Sequence, residues 1–501
     1  MEGIISRWSV RADLRSPLFL AAAGSVVLAI AVRVPYLGMG VVAPDTVDYL
    51  ARGHAVLEGN GFPDALRTPV VPLIFAGFEA VGTEPVVSLV VLQNLFGILM
   101  PAAVVYVGWR YFTPAAGVVS GCLAAASPLL VLTEQFALTD YFFGVAIFVA
   151  TVLLAEAAWR VHAGHSARAW LIAAGAMCGV ATLIRGNGQY AIAAIPIALL
   201  LSVGDWRRAL RASAVALVSM VLVLSPWVIH NVVRYGTPQV TTLGGIAIYV
   251  RVIDHDRMPP PTGSKYGPLA RTTYDDEYAF APSDVQLTSG LSFIGVLANK
   301  GIDNVEISSI MAGIALEAIR ANPSSYLSNT WDILREYQGL YDPRHESGED
   351  DIELATSGLV SPASEATLRG RHAVPGESAI TRVPWKLAQA LSRILYLLSF
   401  AGVLALVLPF IGSRKARISS TVFLTVLLLG FAVGAASSHF EPRYDISYAF
   451  LAWLLLGASA SWLLRSGARV ALVFASRFLA ADVVERLRFP DAEAQQARQS
   501  R

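Results

Sequence analysis

Charged residues are scarce in this sequence, and it contains only two cysteines. Only 15% of the 501 residues are charged, whereas 55% are hydrophobic and the mean hydropathy is +0.55. A soluble domain has about a quarter of its residues charged and could not bury this much apolar surface, so the composition indicates an integral membrane protein. The formal net charge of +1 gives no field that would attract nucleic acid. The sequence also lacks a Gly-rich phosphate loop, a His-Glu-x-x-His zinc pattern and a nucleophile elbow, which argues against nucleotide-driven chemistry.

Long apolar runs recur along the chain. A helix that crosses the hydrocarbon core needs about 20 largely apolar residues. Ten runs come close to that length, namely residues 18–37, 86–109, 115–132, 140–158, 169–185, 188–203, 212–230, 388–411, 419–436 and 447–464. The pattern predicts an all-α polytopic membrane protein with about ten transmembrane helices.

One further apolar stretch, residues 69–82, is too short to span a bilayer and contains Pro69 and Pro72. We expect a short interfacial or re-entrant helix there. When this stretch is left out of the count, the basic loops all fall on one side of the membrane, which the positive-inside rule assigns to the cytoplasm. These loops contain Arg110, Arg160, Arg168, Arg207, Arg208, Arg211, Arg414, Lys415, Arg417, Arg465 and Arg469.

This topology predicts four parts. They are an N-terminal transmembrane module (1–230) with a first outer loop (38–85), an extracytoplasmic subdomain (231–387), C-terminal transmembrane helices (388–464) and a cytoplasmic tail (465–501). Within the subdomain, residues 306–321 have helical periodicity and precede Asn322-Pro323, which would end a helix. Both termini are expected in the cytoplasm.

Acidic residues lie close to the outer ends of the predicted spans. Ionisable groups beside apolar helices are costly and mark candidate functional sites. Asp45 and Asp48 follow the first span, where they suit either the cap of a short helix or a contact with a lipid head group. Glu134 and Asp140 lie at the next outward turn, and Asp140 could equally be the N-cap of the following span.

Basic and aromatic residues occur at the same predicted face. Arg185 and Arg443 stand at outer ends of spans, against the positive-inside trend. An arginine there either snorkels to the interface or holds an anion, because its planar guanidinium binds phosphate through paired N–H donors. With His54, Arg67 and Tyr444, these residues describe a candidate site for a phosphate-bearing lipid.

A set of short motifs follows in order along these outward segments. They are Asp45…Tyr49-Leu50…Gly59…Arg67-Thr68-Pro69-Val70-Val71-Pro72-Leu73, Ala126-Ser127-Pro128-Leu129, Leu138-Thr139-Asp140, Leu183-Ile184-Arg185-Gly186, Ser225-Pro226-Trp227…Asn231 and Glu441-Pro442-Arg443-Tyr444. Together they resemble the GT-C glycosyltransferases that use polyprenyl-phosphate sugars, the bacterial relatives of protein O-mannosyltransferases and lipid A aminoarabinose transferases. The resemblance covers residues 30–235 well and the last span moderately.

The resemblance implies a GT-C-like fold and an inverting transfer of a sugar from a polyprenyl monophosphate to a hydroxyl at the outer face, with the active site in the first outer loop. The catalytic acid of the family maps to Asp45. Many members have a second acid directly after it, but Thr46 stands here, so Asp48 is an alternative base. Asp140 matches the acid of the second loop. The residues expected to bind substrate are His54, Arg67, Glu134, Arg185, Arg443 and Tyr444.

The resemblance also implies the partners. The donor would be a polyprenyl-phosphate sugar, the acceptor a glycan, a lipid or a protein, and the surroundings the lipids of a bacterial plasma (inner) membrane, in a cell-envelope role. No nucleic acid partner is expected. Some family members use a divalent cation and others do not, and no ligand set in this sequence decides between them, so no metal ligand is assigned.

Two other functions are open to such a chain. A transporter or flippase for lipid-linked sugars usually has ionisable residues near the bilayer midplane and paired interrupted helices. Here the charges gather at one face, which favours an enzyme that works at a surface. A non-catalytic cell-envelope assembly protein with the same fold is the second alternative, and the presence of Asp45, Asp140 and Arg185 argues against it.

Overall fold

The computed structural model describes residues 16–34, 44–272, 290–337, 406, 408–437 and 448–466. The described residues form helices and no β-strand. Six helical segments are long and apolar enough to cross a membrane, namely Pro85–Tyr111, Asp140–His162, Gly186–Val203, Trp206–Tyr235, Arg414–Ser437 and Tyr448–Ser466. Shorter apolar helices are Pro17–Arg33, Val70–Ala80, Pro114–Ala126 and Arg168–Ile184. The prediction of an all-α polytopic membrane protein is confirmed.

The α-helices are numbered here in chain order. They are α1 (Pro17–Arg33), α2 (Pro44–Leu57), α3 (Val70–Ala80), α4 (Pro85–Tyr111), α5 (Pro114–Ala126), α6 (Pro128–Thr133), α7 (Asp140–His162), α8 (Arg168–Ile184), α9 (Ala191–Val203), α10 (Trp206–Tyr235), α11 (Leu243–Tyr249), α12 (Gly267–Thr272), α13 (Gly290–Asn299), α14 (Asn304–Ala321), α15 (Pro323–Tyr337), α16 (Arg414–Ser437) and α17 (Tyr448–Ser466). Short 3₁₀-helices cover Gly186–Tyr190 and Leu408–Phe410, and a π-helix covers Val250–His255.

Local sequence explains where several helices begin. In α1, α4 and α5 a proline occupies the first helical position, where its missing N–H costs nothing and its fixed φ suits the helix. The residue before each proline accepts hydrogen bonds from the first turn through its side chain, as an N-cap does. These caps are Ser16, Glu84 and Thr113.

The span predicted over 115–132 is wrong in one respect, because it is divided into α5 and α6. Ser127 adopts an extended conformation (φ −63°, ψ 111°) directly before Pro128. Proline disfavours the helical conformation in the residue that precedes it, so the helix ends and a new one begins. The predicted span 388–411 falls mostly outside the described residues. The other predicted spans each match an observed helix, and the stretch 69–82 forms the short helix α3.

The membrane helices pack around one apolar core. Helix α4 packs against α1 and α5, α8 against α7 and α10, and α16 against α7 and α9. Small residues at the contacts let the backbones of neighbouring helices come close together, as in many membrane helix bundles. A Cβ added at Gly175 in α8, for example, would overlap the carbonyl of Ala216 in α10.

The two ends of this bundle differ in their charges. At one end, Glu156 near the end of α7 accepts hydrogen bonds from Arg110 of α4 (3.1 Å) and Arg160 (3.0 Å), and Lys415 of α16 lies 3.8 Å away. Asp140 begins α7 at the other end, about 24 Å away at about 1.5 Å rise per residue. Three of the basic residues predicted for one membrane side, Arg110, Arg160 and Lys415, therefore meet at one end of the bundle. Which end faces the cytoplasm stays a prediction.

Residues 243–321 contain a second apolar core. Its buried members come from α11, the π-helix, α12, α13 and α14, and include Tyr249, Phe293 and Met311. The helix predicted over 306–321 is present and begins at Asn304, where Asp303 caps it through bonds from the N–H groups of Val305 and Glu306. It ends before Asn322, as the sequence predicts. The domain boundaries themselves stay a prediction.

Candidate active site

Arg67 holds the two acids of the first outer loop together. Its Nη2 lies 2.5 Å from Asp45 Oδ1, its Nε donates to Asp48 Oδ2 at 2.8 Å, and its guanidinium covers the Tyr49 ring at 5.3 Å. Asp45 and Asp48 are one turn apart on α2, so both reach the same cation. Burial opposes the charge of Arg67, but Tyr49, Asp45 and Asp48 raise its pKa above the ordinary value. Arg67 is therefore a permanent cation between two carboxylates.

A second arginine continues this chain of ion pairs. Arg52 donates to Asp48 Oδ1 at 2.9 Å and to both oxygens of Asp64, at 2.7 and 3.2 Å. Asp64 Oδ2 also accepts from Asn304 Nδ2 at 2.9 Å, which ties the loop to α14. Burial alone would raise the pKa of Asp64, but the bonds from Arg52, Asn304 and the Leu66 N–H hold that pKa below its usual range.

Asp140 and Arg185 form the second ion pair of the site. Asp140 is the first residue of α7, and the helix dipole favours a carboxylate there. Arg185 directly follows α8 in an extended conformation and donates to Asp140 Oδ1 through Nη1. Only 2% of the Asp140 side chain is exposed, against 18% of that of Arg185. The cation is thus the member of the pair that a ligand can reach.

Two threonine hydroxyls bring both groups of ion pairs to the same place. Thr46, beside Asp45, donates to the carbonyl of Ala137 at 3.0 Å, three residues before Asp140. Thr68, beside Arg67, donates to the carbonyl of Ile184 at 2.8 Å, the residue before Arg185. Both threonines are buried. The site therefore combines Asp45, Asp48, Arg67, Asp140 and Arg185, all of which the sequence predicted. We call these five residues the outer cluster.

His54 is not part of the outer cluster. It lies nine residues after Asp45 on α2, about half a turn round the helix axis at about 3.6 residues per turn. Its Nδ1 bonds Glu79 Oε1 at 2.8 Å, and 57% of its side chain is exposed. That hydrogen bond, followed by the charges of Glu79 and Glu58, raises the pKa of His54. Arg443 and Tyr444 lie outside the described residues, and their predicted roles stay predictions.

Glu134 lies in the protein interior, six residues before Asp140 in the chain. Its two carboxylate oxygens accept from Arg33 at 2.6 and 2.7 Å, and its side chain is 0% exposed, against 1% for Arg33. The Glu134 carbonyl accepts from Gln93 Nε2 at 2.9 Å, and the same nitrogen donates to Phe136 at 2.8 Å. These bonds fix the segment between α6 and α7 that ends at Asp140, so the geometry suits a structural role for Glu134.

The sequence reasoning did not single out Arg33, Arg52, Asp64 and Asn304. A signal existed for Arg33, since an arginine inside an apolar span needs a partner. Arg52 also had one, because it follows Asp48 by four residues and lies on the same helix face. Asp64 and Asn304 had none, because their contact joins positions 240 residues apart.

The carboxylates of the site contact arginines rather than one another. Among the residues described, no group of three or more His, Cys, Asp or Glu side chains is arranged to hold a metal ion. Outside the site, in the run Asp254-His255-Asp256, Asp256 forms an ion pair with the buried Arg251.

Part of the chain is similar to a known protein family. Residues 66–230 match the family model of dolichyl-phosphate-mannose-protein mannosyltransferases. The match includes Arg67, Asp140 and Arg185 and covers about a third of the chain. The predicted family resemblance is confirmed. The enzyme class predicted from the motifs, a GT-C glycosyltransferase, is the class of this family. No curated protein matches the chain.

Two solved structures show a distant likeness. ArnT from Cupriavidus metallidurans bound to undecaprenyl phosphate is 15% identical, with 83% of this chain and 76% of that chain covered and a TM-score of 0.35. The archaeal oligosaccharyltransferase AglB from Archaeoglobus fulgidus, in complex with an inhibitory peptide and a dolichol-phosphate, is 14% identical, with 93% of this chain covered and a TM-score of 0.45. This chain covers 52% of AglB, about half its length.

Proposed function

We propose that the protein moves a sugar from a polyprenyl-phosphate donor to an acceptor hydroxyl at the outer face of the membrane, with inversion at the anomeric carbon. The observation that carries this proposal is the outer cluster, in which two arginines and three acids meet at one end of an apolar helix bundle. The family match over residues 66–230 supports the donor class.

The chemistry fits these residue types. The acceptor oxygen attacks the anomeric carbon, its proton passes to a carboxylate, and the bond from that carbon to the phosphate oxygen breaks. Polyprenyl phosphate leaves without protonation, so the carboxylic acid that glycosidases use on their leaving group is unnecessary. Arg67 and Arg185 offset the charge that grows on the departing phosphate, as fixed cations do in other transfer reactions. The lipid tail stays in the bilayer beside the helices.

Asp48 suits the role of a positioning residue better than that of a base. Each oxygen of Asp48 accepts a hydrogen bond from a different arginine, Oδ1 from Arg52 and Oδ2 from Arg67. A carboxylate held at both oxygens is a poor proton acceptor and a good clamp for Arg67. The resemblance of the motifs also maps the family's catalytic acid to Asp45. We assign the proton transfer to Asp45 and the positioning of Arg67 to Asp48.

We infer that the subdomain built on α11 to α14 meets the acceptor, because it contacts the first outer loop. Thr242 N–H donates to the Ala65 carbonyl at 2.9 Å, two residues before Arg67, and Asn304 reaches Asp64. An acceptor held by the subdomain would thus approach the loop that contains Asp45. A glycan, a lipid or a protein could provide the hydroxyl, and the protein would work in a bacterial inner membrane with both termini in the cytoplasm.

Binding of the lipid phosphate tests the role of the arginines apart from that of the base. The affinity of purified protein for undecaprenyl phosphate is compared between wild type, Arg67→Gln, Arg185→Gln and Asp45→Asn. Loss of a hydrogen bond to a charged group costs about 1.5–3 kcal/mol, so each arginine variant should bind about 10- to 100-fold more weakly. Asp45→Asn should bind like wild type.

Arg207→Gln is the matched control, since Arg207 is an exposed arginine at the other end of the bundle and has no part in the proposed reaction. Equal affinity in Arg67→Gln, Arg185→Gln and this control would refute the phosphate role of the outer cluster.

A further inference from the structure

A second charged cluster lies at the end of the bundle away from the outer cluster. Glu156 has a nearly buried side chain, 3% exposed, and accepts from Arg110 Nη2 at 3.1 Å, Tyr111 Oη at 2.9 Å and Arg160 Nε at 3.0 Å. Lys415 Nζ stands 3.8 Å from the same carboxylate, beyond hydrogen-bond distance. Three helices, α4, α7 and α16, supply these side chains. We call them the inner cluster.

The inner cluster contains more positive charge than its carboxylate can balance. Three cations surround one acid, so the group has an excess of two positive charges. Each guanidinium has five N–H donors, and each bonds Glu156 through a single nitrogen. Lys415 lies over the Tyr111 ring at 4.6 Å and keeps an ammonium group within reach of a further anion.

The cations are also accessible from outside the bundle. The exposed fractions of their side chains are 38% for Arg110, 34% for Arg160 and 23% for Lys415, whereas Glu156 is nearly covered. Arg160 stacks over the Trp170 ring at 5.1 Å. Tryptophan is typical of the membrane–water interface, which puts these cations at the depth of lipid head groups. An anion that approaches in the plane of the head groups thus meets cations before it meets the acid.

We propose that the inner cluster binds the phosphate of an anionic phospholipid head group between α4, α7 and α16. Basic pockets between transmembrane helices on the cytoplasmic side are known to bind such head groups. The three cations come from helices distant in sequence, so a bound phosphate would join these helices at this end of the bundle. This proposal does not depend on glycosyl transfer.

Native mass spectrometry of the full-length protein tests the proposal. The protein is purified in detergent, mixed with equal amounts of phosphatidylglycerol and phosphatidylcholine, and the retained lipids are counted. Wild type should retain phosphatidylglycerol in preference. Lys415→Gln should bind it about fivefold more weakly, since each basic residue near a membrane surface contributes about 1 kcal/mol. Lys415→Arg should restore the preference.

Lys415→Gln is the main variant because Lys415 makes no hydrogen bond to Glu156, so its removal leaves the buried acid bonded to Arg110, Tyr111 and Arg160. Arg207→Gln is the matched control. It removes one exposed arginine of α10 that, like Arg160, is stacked on a tryptophan ring. Equal retention of phosphatidylglycerol by Lys415→Gln and Arg207→Gln would overturn the proposal. Retention of free inorganic phosphate in place of the lipid would overturn the assignment to a lipid head group.

Discussion

The buried ion pair between Arg33 and Glu134 gives the sharpest test of how the site is held. Both oxygens of Glu134 accept from Arg33, and neither side chain has more than 1% exposure. Removing one partner of such a pair leaves a buried charge unpaired and costs about 3–5 kcal/mol. Glu134→Gln should therefore destabilise the protein by nearly that amount, because a neutral amide cannot balance the guanidinium.

The double variant Arg33→Met with Glu134→Met separates the charge from the packing. Replacing a buried pair with apolar residues of similar volume is often neutral, so most of the stability should return. A residual loss of about 1 kcal/mol of stability is expected, because Arg33 also donates a hydrogen bond to the Ala125 carbonyl at 2.9 Å. Ala125 lies in the last turn of α5, which ends before Pro128.

A double-mutant cycle measures these changes. Each variant is heated in detergent, and its thermal unfolding is monitored by size-exclusion chromatography. Glu79→Gln is the matched control, since the Glu79 side chain is 38% exposed and bonds the exposed His54. If Glu134→Gln unfolded at the wild-type temperature and instead lost affinity for undecaprenyl phosphate, Glu134 would be a substrate-binding residue and the structural reasoning would be refuted.

Three further predictions concern the surroundings of the outer cluster. Gly97→Ala would direct a Cβ into the Glu134 carboxylate and should cost about 1–3 kcal/mol in thermal unfolding, whereas Gly77→Ala, with open space around it, should cost little. Thr68→Val removes the hydrogen bond to the Ile184 carbonyl, so Arg67 should be misplaced relative to Arg185. The transfer rate should fall by about tenfold to a hundredfold. An unchanged donor affinity would contradict this reasoning. The pKa of Asp64 is lowered in the folded protein, so its ionised carboxylate stabilises the first loop at pH values above the ordinary carboxyl pKa. This stabilisation is lost as the pH falls through the lowered pKa. Hydrogen exchange of residues 44–68 should show this loss in wild type, while Asp64→Asn should show no such pH dependence.

The helices were predictable because the membrane imposes a simple rule. Every backbone polar group in the hydrocarbon region must be bonded within its own segment, so long apolar runs become helices. The rule failed at Pro128. The apolar run continues there, but the helix ends because Ser127, the residue before the proline, adopts an extended conformation.

The outer cluster was predictable for a related reason. Charges near apolar helix ends are expensive, and their positions at Asp45, Arg67, Asp140 and Arg185 were evident from the sequence. Their pairing was not, because the contacts join distant segments, as between Arg33 and Glu134, 101 residues apart. Sequence spacing also gave no warning that Glu134 would be fully buried while its neighbour Asp140 meets a partly exposed arginine.

Sugar transfer by the purified protein tests the central claim most directly. Wild type and Asp45→Asn are each supplied with a panel of polyprenyl-phosphate sugars and membrane extract as acceptor, and transfer is followed with Asp205→Asn as an acid-to-amide control at the other end of the bundle. Wild type should transfer sugar from one donor with inversion of the anomeric configuration. In Asp45→Asn, but not in Asp205→Asn, the rate should fall about 10²- to 10⁴-fold, which is the range that a general base contributes. Transfer that proceeds equally well in Asp45→Asn and in Asp205→Asn would contradict the assignment of the outer cluster as the active site.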